Sequence, residues 1–182
     1  MSIWRTLILS IIVASATLCS CVAASGERPA PAIAVYVSPR GGCTDAVVKQ
    51  LDAAKESVLV QAYSFTSAPI AKALADTHKR GVKVQAILDK SQRTERYTSA
   101  TFLQNAGVPT FIDAKHAIAH KKVMVIDGRI VITGSFNFTK AAEESNAESL
   151  LIIDGAQIAQ KYAKNWQEHR GHSAPYERKA NE

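Results

Sequence analysis

Short segments rich in β-branched residues alternate along this chain with segments of helical periodicity, and this alternation constrains the fold more than any other feature. Residues 57–65 (SVLVQAYSF) and 82–89 (VKVQAILD) have the composition of buried strands. Residues 43–58 and 67–81 carry apolar side chains at helical spacing. Strands that alternate with helices predict an α/β protein. We expect an α/β/α sandwich with a central mixed β-sheet covered by helices on both faces.

The two ends of the chain are predicted to lie outside this fold. Residues 1–24 contain one arginine, then an apolar stretch, then small residues, which is the order of a secretory signal. Cleavage after Ala24 would make the protein secreted or periplasmic. A single domain is then expected over residues 25–170, followed by a disordered tail over residues 171–182.

The N-terminal segment has two further interpretations. An uncleaved anchor is disfavoured because its apolar run is roughly 12 residues, whereas about 20 are needed to span a bilayer. Lipidation at Cys21, within the sequence LCSC, would instead make the protein a membrane-anchored lipoprotein. Without that lipid we expect no stable membrane insertion. Signal cleavage would leave Cys43 as a lone cysteine, which we interpret as an unpaired structural residue.

The formal charge of the chain is +6 and its pI is about 9.3. A basic protein favours an anionic partner, such as nucleic acid or an anionic membrane. Lys90 and Arg93 follow a predicted strand, and together with Lys121 they are candidates for contact with the substrate. A solvated surface is an equally good interpretation of Lys90 and Arg93.

Four polar side chains interrupt the apolar stretch HKKVMVIDGRIVITGSFN, which runs over residues 120–137. Residues two apart share a face of a strand. His120 and Lys122 should therefore point the same way, and so should Ser135 and Asn137.

The dipeptide Asp127-Gly128 divides this stretch into two apolar runs and predicts a two-residue hairpin turn between them. With that turn, His120 would lie in a strand directly across from Ser135. The four polar side chains would then converge on one place. A slip of one residue would separate them.

Such a group of side chains has the chemistry of a reactive phosphate site. Imidazole, with a reference pKa of about 6.5, can act as nucleophile, base or acid near neutral pH. An ammonium group neutralises phosphate oxygens, and a hydroxyl and an amide can donate hydrogen bonds to them. The sequence shows no carboxylate cluster of the kind that holds magnesium. We therefore expect a metal-independent reaction without a cofactor.

The other histidines give weaker indications of a metal site. His116 and His120 have the spacing of a helical metal pair, but no acidic residue lies between them, and His120 is predicted in a strand. His169 and His172 are expected to be solvated at the end of the last helix. The sequence therefore predicts no metal site.

The segment HKKVMVID fits the pattern His-x-Lys-x4-Asp and resembles the signature of the phospholipase D superfamily. The segment GSFNFT follows where that family has its Gly-Ser and Asn. The resemblance extends from about Val35 to His169, and AYSFTSAPIAKAL and NWQEHR add to it. The chain looks most similar to the small, single-motif, EDTA-resistant bacterial endonucleases.

This resemblance implies hydrolysis of a phosphodiester, with DNA the expected substrate and RNA also open, through a phosphohistidine intermediate. The family mechanism needs two such histidines, and of five histidines only His120 begins a His-x-Lys pattern. The resemblance thus implies a homodimer with both His120 side chains at the interface. The alternatives are a phospholipase D acting on phospholipid head groups and a non-catalytic module that binds DNA or phosphate.

The resemblance also implies roles for individual residues, carried over by position. Lys122 and Asn137 are expected to bind phosphate oxygens, Ser135 to assist them, and Glu148 to orient the imidazole. Two further motif residues are expected to be structural: Asp127 and Gly134.

Overall fold

The computed structural model describes residues 30–95 and 98–177, and the described chain is built around one eight-stranded sheet. The predicted signal segment lies outside the described residues, so cleavage at Ala24 and lipidation at Cys21 stay predictions. No helix within the described ranges is both long and apolar enough to span a membrane. The strands are β1 (Ala32–Val37), β2 (Ser57–Ala62), β3 (Lys83–Asp89), β4 (Thr110–Asp113), β5 (Lys122–Ile126), β6 (Ile130–Gly134), β7 (Ser149–Asp154) and β8 (Ala174–Pro175).

The sheet is mixed, as the sequence predicts. The strand order is β1-β7-β6-β5-β2-β3-β4-β8. Strand β3 is parallel to its two neighbours, β2 and β4. All other neighbouring strands in the sheet are antiparallel. The parallel strands are linked by helical crossovers, and this is why helical and strand-like segments alternate in the first half of the sequence.

Helices cover both faces of the sheet. On one face, Met124, Ile126 and Ile132 pack in a large apolar core with residues of α1 to α4. On the other face, alternate residues such as Val123 and Val125 pack against the last helix. Apolar side chains on both faces of the central strands therefore correctly predict the α/β/α arrangement. The helices are α1 (Cys43–Ala53), α2 (Ala68–Lys79), α3 (Ala100–Asn105), α4 (Lys140–Glu144) and α5 (Ala156–Arg170), with a 3-10 turn at Lys90–Arg93.

The hairpin between β5 and β6 differs from the prediction by one residue. Ile126 pairs with Ile130, so the loop contains three residues, and continuing this register places Phe136 rather than Ser135 across from position 120. The third loop residue is Arg129, whose carbonyl accepts a hydrogen bond from Gly155 and whose guanidinium binds Asp154. These contacts hold Arg129 at the end of β7, so the β5–β6 ladder begins one residue later.

The prediction of a disordered tail from residue 171 is wrong for the described part of that segment. Ala174–Pro175 forms β8 and pairs with β4. Tyr176 is 5% exposed, and its hydroxyl lies 2.8 Å from that of Thr101. This segment has few apolar residues, but it is ordered because β8 pairs with the outer side of β4 and the ring of Tyr176 packs in the core. The final residues, 178–182, lie outside the described ranges.

Candidate active site

The polar motif residues lie at one edge of the sheet, and the topology explains why. The parallel strands β2 and β3 end there, at Ala62 and Asp89. Strand β5 runs antiparallel to β2, so it begins at this same edge, with Lys122 opposite Ala62. Strand β6 ends there at Gly134, and β7 begins there. Segments far apart in sequence therefore meet at this edge.

His120 and Lys122 are in direct contact. Nζ of Lys122 lies 2.9 Å from Nε2 of His120. A protonated ammonium group has only donors, so Nε2 accepts and the ring proton is on Nδ1. His120 itself precedes β5, which begins at Lys122, so the prediction that it lies in the strand is wrong. Its position outside the ladder leaves the ring exposed to an incoming ligand.

Tyr63 completes the surroundings of this pair. Its ring meets the His120 ring edge-on with centroids 4.7 Å apart, and Nζ of Lys122 lies 5.2 Å from the Tyr63 ring centroid. Tyr63 belongs to segment 57–65, whose composition predicts a buried strand, but its side chain is only half-buried. Its location directly after β2, at the edge where β5 begins, is a signal that could have identified it.

Lys122 is a buried cation without an ion-pair partner in the described part of the chain. Its exposure is 7%, and its ammonium group forms a hydrogen bond with an imidazole nitrogen rather than with a carboxylate. Burial lowers the pKa of Lys122, and the negative charge of Glu148 partly opposes that change. A buried ammonium that no carboxylate neutralises is suited to bind an anion.

Ser135 and Asn137 follow β6 and retain hydrogen-bonding capacity. Oγ of Ser135 accepts a hydrogen bond from the Ser149 N–H at 3.0 Å, which leaves its own hydroxyl hydrogen free to donate. Oδ1 of Asn137 is buried and has no partner among the described residues. The next residue, Phe138, pairs with Phe65, so Asn137 lies beside the segment that carries Tyr63.

Gly134 is required where β6 ends against β7. Its φ is +145°, and a Cβ at this position would lie 2.1 Å from the carbonyl oxygen of Ser149. No residue with a side chain can make so close an approach without moving the backbone. Gly134 therefore lets the chain leave the strand, which brings Ser135 into contact with Ser149.

Glu148 lies on the Lys122 side of the site. Its carboxylate accepts a hydrogen bond from the Asn146 amide at 3.2 Å, and its charge acts on Lys122. Within the described residues, no hydrogen bond joins Glu148 to His120. The role that the resemblance implies for Glu148, orienting an imidazole, therefore stays a prediction.

Asp127 lies in the β5–β6 loop, away from the edge that carries His120. Its carboxylate accepts backbone hydrogen bonds from Lys55, Glu56 and Ser57 at 2.8–2.9 Å. Burial by itself would raise its pKa, but these three hydrogen bonds outweigh burial and lower the pKa below its ordinary value. The contacts attach the hairpin to the α1–β2 loop, and the structural role of Asp127 stays a prediction.

The candidate substrate-binding cations lie at the same edge of the sheet. Lys90 and Arg93 form the turn that directly follows β3. Nζ of Lys90 donates to the carbonyl of His116 at 3.2 Å, whereas Arg93 is exposed. The carbonyl of Lys121 accepts a hydrogen bond from Tyr63, which fixes the backbone beside His120.

A second cluster lies next to this site, and the sequence analysis missed it. His169 and His172 are not solvated as expected, because both are directed at the carboxylate of Asp113, which is fully buried. His116 joins them from the loop that leads to His120. Burial alone would raise the pKa of Asp113, but the hydrogen bonds from His169 and His116 hold it well below its ordinary value. The paired spacings Asp-x2-His and His-x2-His were the available signal.

Comparisons with known proteins agree with this fold and site. A family model described as "Cardiolipin synthase, PLD-like domain" matches residues 47–170. The phospholipase D of Rickettsia typhi is 42% identical over 134 residues, which are 74% of this chain and 66% of that protein. The chain therefore spans about two thirds of the length of this relative.

Two solved structures are also similar. The crystal structure of Nuc, a phospholipase D family member from Salmonella typhimurium, has a TM-score of 0.78 and 37% identity over 80% of this chain and 98% of that one. NucT from Helicobacter pylori has a TM-score of 0.74 and 26% identity over 80% of this chain and 99% of its own.

The fold and the His-Lys pair at its sheet edge define the class of the protein as a phosphodiester hydrolase. The matching family model and the relative that is 42% identical define the family more narrowly. The chain belongs to the phospholipase D-like family.

Proposed function

We propose that this protein is a metal-independent nuclease that hydrolyses DNA, with RNA as a further substrate. The observation that carries the proposal is that Nζ of the buried Lys122 lies 2.9 Å from Nε2 of His120, an exposed residue. The ammonium provides the charge that a phosphate needs, and the imidazole provides a nucleophile beside it. The net charge of +6 favours a polyanionic substrate.

In the proposed reaction, Nε2 of His120 attacks phosphorus. A P–N bond forms while the P–O bond to the leaving oxygen breaks. A second imidazole gives its proton to that oxygen, then takes a proton from water, and the resulting hydroxide displaces His120 from phosphorus. Lys122, Ser135 and Asn137 would stabilise the negative charge on the non-bridging oxygens.

The second imidazole must come from another copy of the chain. The chain has five histidines, and the structure describes all of them. Three belong to the Asp113 cluster, and His78 lies on α2 beside Gly107. Only His120 is at the site. We therefore propose a two-fold homodimer in which His120 of the partner subunit is the general acid and base.

A surface suited to this dimer lies on the outer strand β1. Ile33, Val35 and Val37 are 54%, 63% and 60% exposed. They share the face of the sheet that α5 covers elsewhere, but their exposure shows that α5 leaves these three side chains uncovered. This apolar strip ends at Val37, which pairs with Ser149 of β7. The N–H of Ser149 donates a hydrogen bond to the hydroxyl of Ser135 at the site. Exposed apolar strips of this kind favour a protein partner, and this one extends to the site.

One observation favours a phospholipid substrate instead. Ile118, two residues before His120, is 58% exposed and could enter a lipid surface beside the reacting group. The relative from Rickettsia typhi is named a phospholipase D. A phospholipase would use the same His-Lys chemistry, so the substrate has to be decided by assay.

The test compares two substrates in excess EDTA. The protein is incubated with supercoiled plasmid and, separately, with phosphatidylcholine vesicles, at a temperature where circular dichroism shows that it stays folded. We expect nicking and linearisation of the plasmid, no release of choline, and no plasmid cleavage by the variant His120→Asn. Release of choline without plasmid cleavage would replace the nuclease by a phospholipase. Cleavage that stops in EDTA and returns with magnesium, while the fold persists, would reject the metal-independent mechanism.

A further inference from the structure

We propose that Asp113, His116, His169 and His172 form a structural binding site for a transition-metal ion, with Zn²⁺ as the expected occupant. This cluster is separate from the His120–Lys122 pair. It joins the end of β4, the loop 114–121 and the C-terminal end of α5.

The four side chains are arranged around one carboxylate oxygen. Oδ2 of Asp113 lies 2.7 Å from Nδ1 of His169, 3.1 Å from Nδ1 of His116 and 3.3 Å from Nε2 of His172. All four potential ligand atoms lie within 4.8 Å of one another. In a tetrahedral zinc site with bonds of 2.0–2.1 Å, neighbouring ligand atoms are about 3.3 Å apart. Small side-chain rotations are therefore enough to enclose an ion.

Hydrogen bonds alone leave this cluster incompletely satisfied. Nε2 of His172 is buried and has no hydrogen-bond partner among residues 30–95 and 98–177, although it faces the Asp113 carboxylate. Three ring nitrogens converge on Oδ2, more than its lone pairs can accept with good geometry. The carboxylate is also a fully buried negative charge. One divalent cation would give a partner to each of the three ring nitrogens that face Asp113, and its charge would neutralise that of the carboxylate.

The ligand types select the metal. Three imidazole nitrogens and one carboxylate oxygen suit zinc and its neighbours, whereas magnesium and calcium prefer oxygen ligands throughout. Four protein ligands would fill a tetrahedral shell and leave no open position, which is typical of a structural rather than a catalytic site.

The surrounding contacts resemble those that orient metal ligands. The second carboxylate oxygen of Asp113 accepts a hydrogen bond from the Lys115 N–H at 3.1 Å. The carbonyl of His169 accepts one from the Ser173 hydroxyl at 2.8 Å. The first contact fixes the direction of the carboxylate before the metal arrives, and the second fixes the backbone that carries His169.

The site would fix the loop that carries the nucleophile. Loop 114–121 begins after Asp113 and ends at Lys121. It carries both His116, a proposed metal ligand, and His120, the proposed nucleophile. The carbonyl of His116 also accepts the hydrogen bond of Lys90. A metal at His116 would attach this loop to α5. It would stabilise the fold without taking part in phosphate chemistry at His120.

The experiment uses the full untagged chain, stripped with a chelator and then dialysed. Titration with Zn²⁺ should show one ion bound per chain and a higher melting temperature, and Co²⁺ should give the intense visible absorption of a tetrahedral complex. His116→Ala and His172→Ala should each weaken Zn²⁺ binding at least about 10-fold, since even outer contacts of metal ligands contribute that much. His120→Asn, which removes an imidazole outside the cluster, should bind Zn²⁺ like the unmodified protein.

Two results would overturn this site. One is the absence of saturable Zn²⁺ binding at micromolar concentrations. Another is binding that His116→Ala leaves unchanged but His120→Asn removes. Because His116 is 43% exposed, its variant is expected to fold even if His172→Ala does not. Plasmid cleavage plays no part in these readouts, so failure of the metal site and failure of the nuclease activity can be told apart.

Discussion

Lys122 shows how one residue can lower stability while serving function. It is buried, its pKa is lowered by that burial, and it lies against an imidazole and an aromatic ring. A charge in such a place costs folding free energy unless an anion neutralises it. The negative charge of Glu148 acts on the pKa of Lys122, but the two side chains form no ion pair. Binding of an anionic substrate at this place, as proposed, would explain the arrangement.

The variant Lys122→Met tests this interpretation, because methionine has a similar shape without the charge. We expect plasmid cleavage to fall by about 100-fold or more, which is the cost of losing an electrostatic contact in a transition state. The free energy of unfolding in urea should stay the same or increase. The exposed Lys161→Met is the matched control and should change neither quantity. A loss of cleavage in proportion to a loss of folded protein would mean that Lys122 is only structural.

At the scale of elements, the β5–β6 hairpin is positioned from its far end. Asp127 has φ +51° and attaches the loop to the backbone of Lys55, Glu56 and Ser57. This attachment fixes the register of the strand that presents Lys122 at the opposite edge. A motif aspartate can thus matter to catalysis without touching the substrate.

Asp127→Asn should destabilise the protein by about 2 kcal/mol at neutral pH, the usual value for hydrogen bonds to a charged group. Asparagine tolerates the positive φ, so the variant removes the charge and one acceptor oxygen without adding backbone strain. Because the folded-state pKa of Asp127 lies below its ordinary 3.8, its stabilisation is complete above that value and is lost as pH falls through the folded-state pKa.

Urea unfolding at a series of pH values measures this effect. The stability difference between the two proteins should be constant above about pH 5 and shrink in more acidic solution, as expected for a carboxylate of lowered pKa. A difference that is independent of pH down to the acid transition would contradict the role of the charge.

At the scale of the whole molecule, the proposed reaction needs a second imidazole in addition to that of His120. The chain has one His-x-Lys pair, and its other histidines are elsewhere. The apolar strip Ile33, Val35 and Val37 reaches the same edge of the sheet. A two-fold dimer through this strip would provide the missing imidazole and cover the exposed apolar surface.

We expect the protein to sediment as a dimer, and Val35→Glu to give a folded monomer without cleavage activity. Phe102→Glu, at another exposed apolar residue, is the control and should remain an active dimer. When unmodified chains and His120→Asn chains are mixed equally and allowed to exchange, a shared site predicts about one quarter of the activity of the same total concentration of unmodified protein, whereas independent sites predict about one half. An active monomer would contradict the shared site.

Much of the candidate site could be predicted without coordinates. His120, Lys122, Ser135 and Asn137 are local in sequence, and their residue types already point to phosphate chemistry. The hairpin register could not be predicted, because it depends on Arg129 being held by Asp154 and Gly155, residues more than twenty positions away. Tyr63 was missed for a similar reason, since only the pairing of β2 with β5 brings it to His120.

The sequence by itself determined the α/β class, the two apolar faces of the sheet and the candidate residues for phosphate chemistry. These features depend on periodicity and residue chemistry, which are properties of short segments. Only the tertiary structure decided that His169 and His172 meet Asp113 and His116, and that β8 closes the end of the sheet. Such contacts join segments through the packing of the whole chain, and local periodicity carries no information about that packing.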